Sequence, residues 1–390
     1  MKTSRMRKRA SVVVVGAAVA VLLVSGLSAC SPNGRAGDSP PPLASNTAQT
    51  QGRESVVEAK LAERLRTLCD RADGSVGVAV IHVETGRIVE VQGATPLPLY
   101  SVFKLPLAVS VLKDVEENRL RLDQKVSVEP AEVLPGWKGN TDLWGKPSER
   151  TVAELLELSV SRSDNTSSDK LLQLVGGPEV VTRRMRALGL QNIDIRSSVR
   201  EFATGRRQHP NTGTASDIAQ LLARLQKGEV LQPQQQAVLL GLMERATTGL
   251  RRLRGDLPTG TPVADKTGTG EAGAATNDVG LITLPGGRGH LAMAVFINGS
   301  KLSEEAQEKL IAELARAAYD AHVSETAQIK QEPSLPSGTQ PFSQGGASSH
   351  VNIISISVAT ARRRACPRCA CRRSPSASPR SPAAPPSLRR

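Results

Sequence analysis

A serine hydroxyl is a weak nucleophile until a base takes its proton, and a lysine can be that base where its surroundings disfavour its charge. Three serines in this chain precede a lysine at the same spacing: Ser101-Val102-Phe103-Lys104, Ser110-Val111-Leu112-Lys113 and Ser167-Ser168-Asp169-Lys170. On a helix that spacing places both side chains on one face, one turn apart. An ordinary surface pair has the same spacing, so further patterns are needed to choose. Ser163-Asp164-Asn165 opens an apolar-periodic segment and, alone, is a good helix N-cap. Lys266-Thr267-Gly268 closes a β-branched run before Thr269-Gly270 and, alone, is a strand end.

In this order, Ser-x-x-Lys, Ser-Asp-Asn and Lys-Thr-Gly resemble the signature set of the class A β-lactamases and penicillin-binding proteins. Ser101 lies 62 positions before Ser163, and Ser163 lies 103 before Lys266, separations close to those of the family. Ser110 is nine residues too close and Ser167 lies beyond Ser163, so only Ser101 fits. The resemblance runs over roughly residues 55–323. It takes in Asn211-Thr212-Gly213-Thr214, Thr247-Thr248-Gly249 with the 251–257 segment, Val263-Ala264-Asp265 and Asn277-Asp278-Val279.

The resemblance implies an acyl-enzyme on Ser101, with Lys104 accepting or relaying its proton and Ser163 passing a proton to the leaving nitrogen. Asn165 would bind the substrate's side-chain amide. Lys266 and Thr267 of the Lys-Thr-Gly strand, which Gly268 completes, would hold its carboxylate. Backbone N–H groups of Ser101 and Thr269 would form the oxyanion hole. It implies no cofactor, and cleft specificity set around Trp137, Asn140, Thr269 and Glu271.

One departure bears on turnover. The family hydrolyses its acyl-enzyme with a glutamate on an Ω-shaped loop, and the corresponding count here reaches Val199, in Arg196-Ser197-Ser198-Val199-Arg200-Glu201-Phe202. Glu201, two places on, is the only carboxylate nearby. The family's bracing Arg–Asp pair is also altered, because the partner position of Arg196 is Asn211. Glu201 is therefore either the hydrolytic base or a solvated loop glutamate. The substrate is correspondingly a β-lactam that is opened and released. The alternatives are a cell-wall D,D-peptide or ester with slow deacylation, or a ligand held by a non-catalytic module.

The elements that must position these groups can be read from periodicity. A helix is expected over 54–69, then strands at 75–82 and 88–91 around a short turn. Helices follow at 103–117, 152–160, 164–175, 178–188, 215–227 and 233–244. Strands return at 263–266, 279–284 and 290–297, with a last helix over 303–321. Two strands, a long helical middle and three strands make a split α+β fold. The resemblance specifies this as an antiparallel five-stranded sheet flanked by helices plus an all-helical lobe, with the site between them. Aromatics are only 2% of the chain, so the core is built from Leu, Val, Ile and Ala.

The formal net charge of +13 sits at the two ends. Five basic residues in 1–30 and nine arginines in 341–390 leave 36 basic against 37 acidic groups between, net −1. A neutral body excludes an extended phosphate-binding groove, so no nucleic-acid partner is expected. Residues 1–30 have a basic stretch, an apolar run and small residues, as a secretory signal does. The run also nears membrane-spanning length. Leu27-Ser28-Ala29-Cys30 resembles a bacterial lipobox, which implies lipidation of Cys30 and an exported domain tethered to a membrane, facing the periplasm or cell exterior. A flexible tether (31–53), a catalytic domain (54–323) and a disordered basic tail (324–390) complete the expected organisation, as a monomer. Cys69 has no partner in the main domain and suits a buried apolar site. The scattered histidines, and Cys366, Cys369 and Cys371 without a fourth ligand, give no metal site.

Overall fold

Strands covered on both faces are apolar at odd and even positions alike, and β1 (Ser75–His82) and β9 (His290–Asn298) have that character. In the computed structural model, which describes residues 45–134, 144, 148–206 and 209–329, these two strands lie at the centre of one sheet. Its order is β2-β1-β9-β8-β7, with β2 (Ile88–Val91), β7 (Val263–Thr269) and β8 (Ala275–Thr283), every neighbour antiparallel. Ala79, Ile81, Ala292, Ala294 and Phe296 face one side, and Val78, Val80, Met293, Val295 and Ile297 the other. Alternation thus divides the apolar residues between two cores.

Helices α1 (Ser45–Cys69) and α9 (Glu304–Ile329) cover one face, through Leu61, Leu65, Leu68, Ile311 and Leu314. The other face carries the helical lobe: α2 (Lys104–Glu116), α3 (Val152–Ser161), α4 (Asn165–Leu174), α5 (Pro178–Ala187), α7 (Ala215–Gln226) and α8 (Pro233–Glu244). The α+β architecture and all six middle helices follow the sequence expectation within two residues at each end. The terminal helices run further. Residues 45–53 are helical where a tether is expected, and α9 continues through 324–329. A helix whose packed part has already formed its nucleus extends at little cost into flanking residues of modest propensity.

Five short elements have too few residues to show a period: the pairs β3 (Leu97–Pro98) with β6 (Thr212–Gly213) and β4 (Lys125–Val128) with β5 (Ser148–Thr151), and the one-turn helix α6 (Val199–Ala203). Cys69 is buried, and burial pushes its thiol up to about 12, so it packs as an inert small residue. The readings of 1–44, Cys30, Trp137, Asn140 and 330–390 lie outside the described residues.

Candidate active site

The nucleophile stands on a turn held from two sides. Leu97 and Pro98 pair with Gly213 and Thr212, and the Leu99 N–H donates to Asn211 O at 2.8 Å. Tyr100 then takes φ +45°, a left-handed conformation costly for a non-glycine residue. Ser101 lies in the 3-10 turn Tyr100–Phe103 rather than at the start of the α-helix, which opens at Lys104. Ser101 is half-buried at the mouth and Lys104 fully buried beneath it.

Lys104 Nζ donates to Ser163 O (2.6 Å), Asn165 Oδ1 (2.9 Å) and Ser163 Oγ (3.3 Å). Lys266 Nζ reaches the same Ser163 Oγ at 3.0 Å and Thr267 O at 2.9 Å. The Ser163 hydroxyl is therefore the bridge between two lysines, held at φ +57° just before Asp164, whose carboxylate caps α4 by accepting the Ser167 N–H at 2.7 Å. Burial holds Lys104 well below the ordinary lysine range, and the charge of Lys266 adds to this. Burial likewise lowers Lys266, to about 8, against the attraction of Asp265 and Asp278. Two ammonium groups sharing one hydroxyl in a buried site favour the neutral form of Lys104 relative to a free lysine.

Strand β7 carries Lys266, Thr267, Gly268 and Thr269 along the open edge of the sheet. The Gly270 N–H is bonded to Ala275 O on β8 at 2.8 Å. Successive N–H groups of a strand point to opposite sides, so the Thr269 N–H faces away from β8, into the cleft, as an oxyanion donor must. Gly268 allows β7 to approach the nucleophile turn, since a Cβ there would lie 2.5 Å from Leu99 O and 3.2 Å from Val102 N. Thr267 shares a 2.7 Å hydroxyl–hydroxyl bond with Thr248.

Beneath the strand lies a buried charge network that spacing alone does not reveal. Arg252 donates to Thr269 Oγ1 (2.9 Å), Asn277 O (3.0 Å) and Gly268 O (3.2 Å), and pairs with Glu308 of α9 at 3.2 Å. Arg254 bonds the fully buried Asp265 carboxylate, with Nε to Oδ1 at 2.8 Å. Burial raises Asp265 to about 6 despite Arg254, and burial together with Asp265 raises Asp278 well above the usual carboxylate range. The signal available in sequence was the run of arginines at 251, 252 and 254 after Thr-Thr-Gly.

The loop bearing Glu201 is braced in an unexpected way. Asn211 does not form an ion pair with Arg196; its Oδ1 accepts the N–H groups of Arg196 (2.8 Å) and Ser197 (3.0 Å), and its Nδ2 donates to Ser197 O (3.0 Å). The Arg196 guanidinium turns to Asp194 at 2.7 Å. A second anchor comes from α4, where buried Asp169 accepts the N–H groups of Val199 (2.7 Å) and Arg200 (3.0 Å). Glu201 is half-buried on α6 in a reciprocal cap with Ser198, its Oε2 accepting the Ser198 N–H at 3.0 Å. Asp169 spends both oxygens on backbone N–H groups, which marks it as the clamp of the loop.

Hydrogen bonds thus join Lys104, Ser163, Asn165 and Lys266, and β7 brings Thr267, Gly268 and Thr269 beside Ser101. Among the described residues no group of His, Cys, Asp or Glu could hold a metal ion. A Ser/Lys/Ser constellation with a buried lysine, set between an antiparallel sheet and a helical lobe, defines a serine hydrolase that works through an acyl-enzyme. The profile described as the "Beta-lactamase enzyme family" matches residues 60–322, and the chain belongs to that family. The extended-spectrum β-lactamase PER-1 of Pseudomonas aeruginosa is 36% identical over 66% of this chain and 86% of its own. A β-lactamase of Streptomyces albus G is 30% identical over 70% and 87% respectively. Among solved structures, a β-lactamase from Chitinophaga pinensis superposes with TM-score 0.64 at 35% identity, covering 67% of this chain and 99% of that one. The TLA-1 extended-spectrum β-lactamase gives 0.65 at 34% identity over 68% and 99%.

Proposed function

We propose that this protein hydrolyses β-lactams through an acyl-enzyme on Ser101, with Glu201 as the base of the second half-reaction. The observation that carries the reading is the shared Ser163 hydroxyl, 3.3 Å from Lys104 Nζ and 3.0 Å from Lys266 Nζ. In acylation, neutral Lys104 takes the Ser101 proton as Oγ attacks the lactam carbonyl. The developing oxyanion lies between the N–H groups of Ser101 and Thr269, each such donor supplying about 3 kcal/mol of barrier. The C–N bond breaks as Ser163 delivers its proton to the nitrogen and is reprotonated by a lysine. Glu201 then takes a proton from water as that water attacks the ester, and the proton is returned to Ser101 Oγ as the ester C–O bond breaks, freeing Ser101 and the ring-opened acid.

Turnover of a chromogenic cephalosporin tests this, and it should vanish in Ser101→Ala. A folded wild type that accumulates a long-lived penicillin adduct on Ser101 would instead favour slow-releasing cell-wall peptidase chemistry.

Lys266 supplies a pH signature. As a cation it holds the substrate carboxylate by a charge-assisted contact. Its proton is lost as pH rises through about 8, so KM should climb between pH 7 and 9.5, by about tenfold or more. A KM flat over that range would remove Lys266 from the anchor.

The same reading includes export and lipid attachment at Cys30, supported by the basic, apolar and small-residue order of residues 1–30. Among the described residues no helix is long and apolar enough to cross a membrane. Metabolic labelling with an alkyne fatty acid should mark the wild type and not Cys30→Ser.

A further inference from the structure

Asn277 lies on β8, outside the three motifs, and is fully buried. Its Nδ2 donates to Pro98 O at 2.9 Å and to Leu99 O at 3.3 Å, the last two carbonyls before the strained Tyr100 and the nucleophile. Its Oδ1 is buried without a hydrogen-bond partner. The amide orientation is fixed, because a flip would set Oδ1 against two carbonyl oxygens. A buried acceptor left unsatisfied carries a desolvation cost, so the side chain is kept for its donors alone.

What those donors hold is the peptide that aims the oxyanion hole. The Leu99 carbonyl belongs to the peptide entering Tyr100, and the positive φ at Tyr100 turns the next peptide, whose N–H is that of Ser101. A conformation of that kind persists only where its surroundings over-determine it. Here the Leu99 N–H is tied to Asn211 O, and Gly268 closes over Leu99 O without a Cβ to interfere. The backbone carbonyl of Asn277 is itself held by Arg252 at 3.0 Å, the guanidinium that also fixes Thr269 Oγ1 at 2.9 Å. Both halves of the hole therefore converge on this residue: Ser101 through its side chain, Thr269 through its backbone partner.

We propose that Asn277 is a positioning residue for the oxyanion hole, setting the direction of the Ser101 N–H through the Pro98 and Leu99 carbonyls. The proposal rests on the acyl-enzyme reading of the site. Asn277→Ala should slow ring opening of a chromogenic cephalosporin, measured with enzyme in excess so that only acylation is read, by ten- to a hundredfold. Rates are normalised to sites that mass spectrometry shows to be acylated on Ser101. The Kd for phenylboronic acid, whose tetrahedral Ser101 adduct places an oxygen in the hole, should rise by a similar factor. That probe reports the hole whether or not a lactam is the natural substrate, so a failure of the function leaves the proposal tested. Ala-variant rates and boronate affinity within twofold of wild type, whatever the change in Tm, would overturn it. Asn277→Asp covers the case in which the alanine variant does not fold. Protonated, the new carboxyl can donate to one carbonyl; ionised, it repels both. Its boronate affinity relative to wild type should therefore fall between pH 6 and pH 8, and a ratio independent of pH would overturn the proposal.

Discussion

Glu201→Gln should leave Ser101 acylated. Glutamine keeps the size of the side chain and can still accept the Ser198 N–H through its amide oxygen, the bond that Glu201 Oε2 makes at 3.0 Å. What it loses is the capacity to take a proton from water. General-base assistance contributes about 10²–10⁴-fold, so deacylation should slow by about 10³-fold while acylation changes little. A burst of one equivalent of ring-opened product, followed by a slow steady state, is the expected kinetic form. Mass spectrometry should find the adduct on Ser101 minutes after mixing. Unchanged steady-state turnover would reduce Glu201 to a cap residue of α6. The loop must stay in place for the result to be read, and it is held independently of Glu201. Asp169 grips the N–H groups of Val199 and Arg200, and Asn211 grips Ser197 from the other side.

Arg254→Ala should produce the largest loss of stability. Asp265 is completely buried, and Arg254 bonds its Oδ1 at 2.8 Å. Removing one partner of a buried pair leaves an uncompensated charge and costs about 3–5 kcal/mol, a large share of the usual 5–15 kcal/mol of a folded domain. The cost depends on pH with a definite sign. The folded-state pKa of Asp265 is already raised to about 6 by burial, and loss of Arg254 raises it further. A carboxyl whose folded pKa lies above its unfolded value favours the folded state at low pH and opposes it as pH rises. Urea denaturation should therefore show a smaller deficit for the variant at pH 5 than at pH 8. Equal deficits would mean that Asp265 does not titrate in that window.

Middle helices such as α5 and α7 were legible in the sequence because each buries one apolar face and keeps a period of 3.6, whereas α2, buried at every position from Lys104 to Leu112, was legible as a long apolar run. The strands were legible more coarsely. β7 runs on to Thr269 and β8 begins at Ala275, where the residues are Thr, Gly, Ala and Asn, because ladder bonds extend a strand beyond its apolar stretch. Order and spacing together singled out Ser101 as the candidate nucleophile, and the hydrogen bonds around Ser163 gather Lys104 and Lys266 at one hydroxyl. The turn under Ser101 was not legible: a Ser-x-x-Lys pair reads as an α-helical face, yet the chain folds it as a 3-10 turn entered through a left-handed Tyr100.

The sequence by itself determined the class of chemistry and the candidate residues for acylation, because a reaction that needs a nucleophile, two lysines and a proton shuttle restricts residue types at fixed separations; it left Glu201 open between base and loop residue. Tertiary structure alone decided how those groups are tuned. Burial, not spacing, lowers Lys104 and Lys266, and burial is a property of what packs above a residue. The brace of the Glu201 loop, the Arg252 and Arg254 network and the grip of Asn277 on Leu99 link segments 11 to 178 residues apart. Such contacts leave no periodic trace along the chain, since the energy that selects them exists only once the sheet has brought its distant strands together.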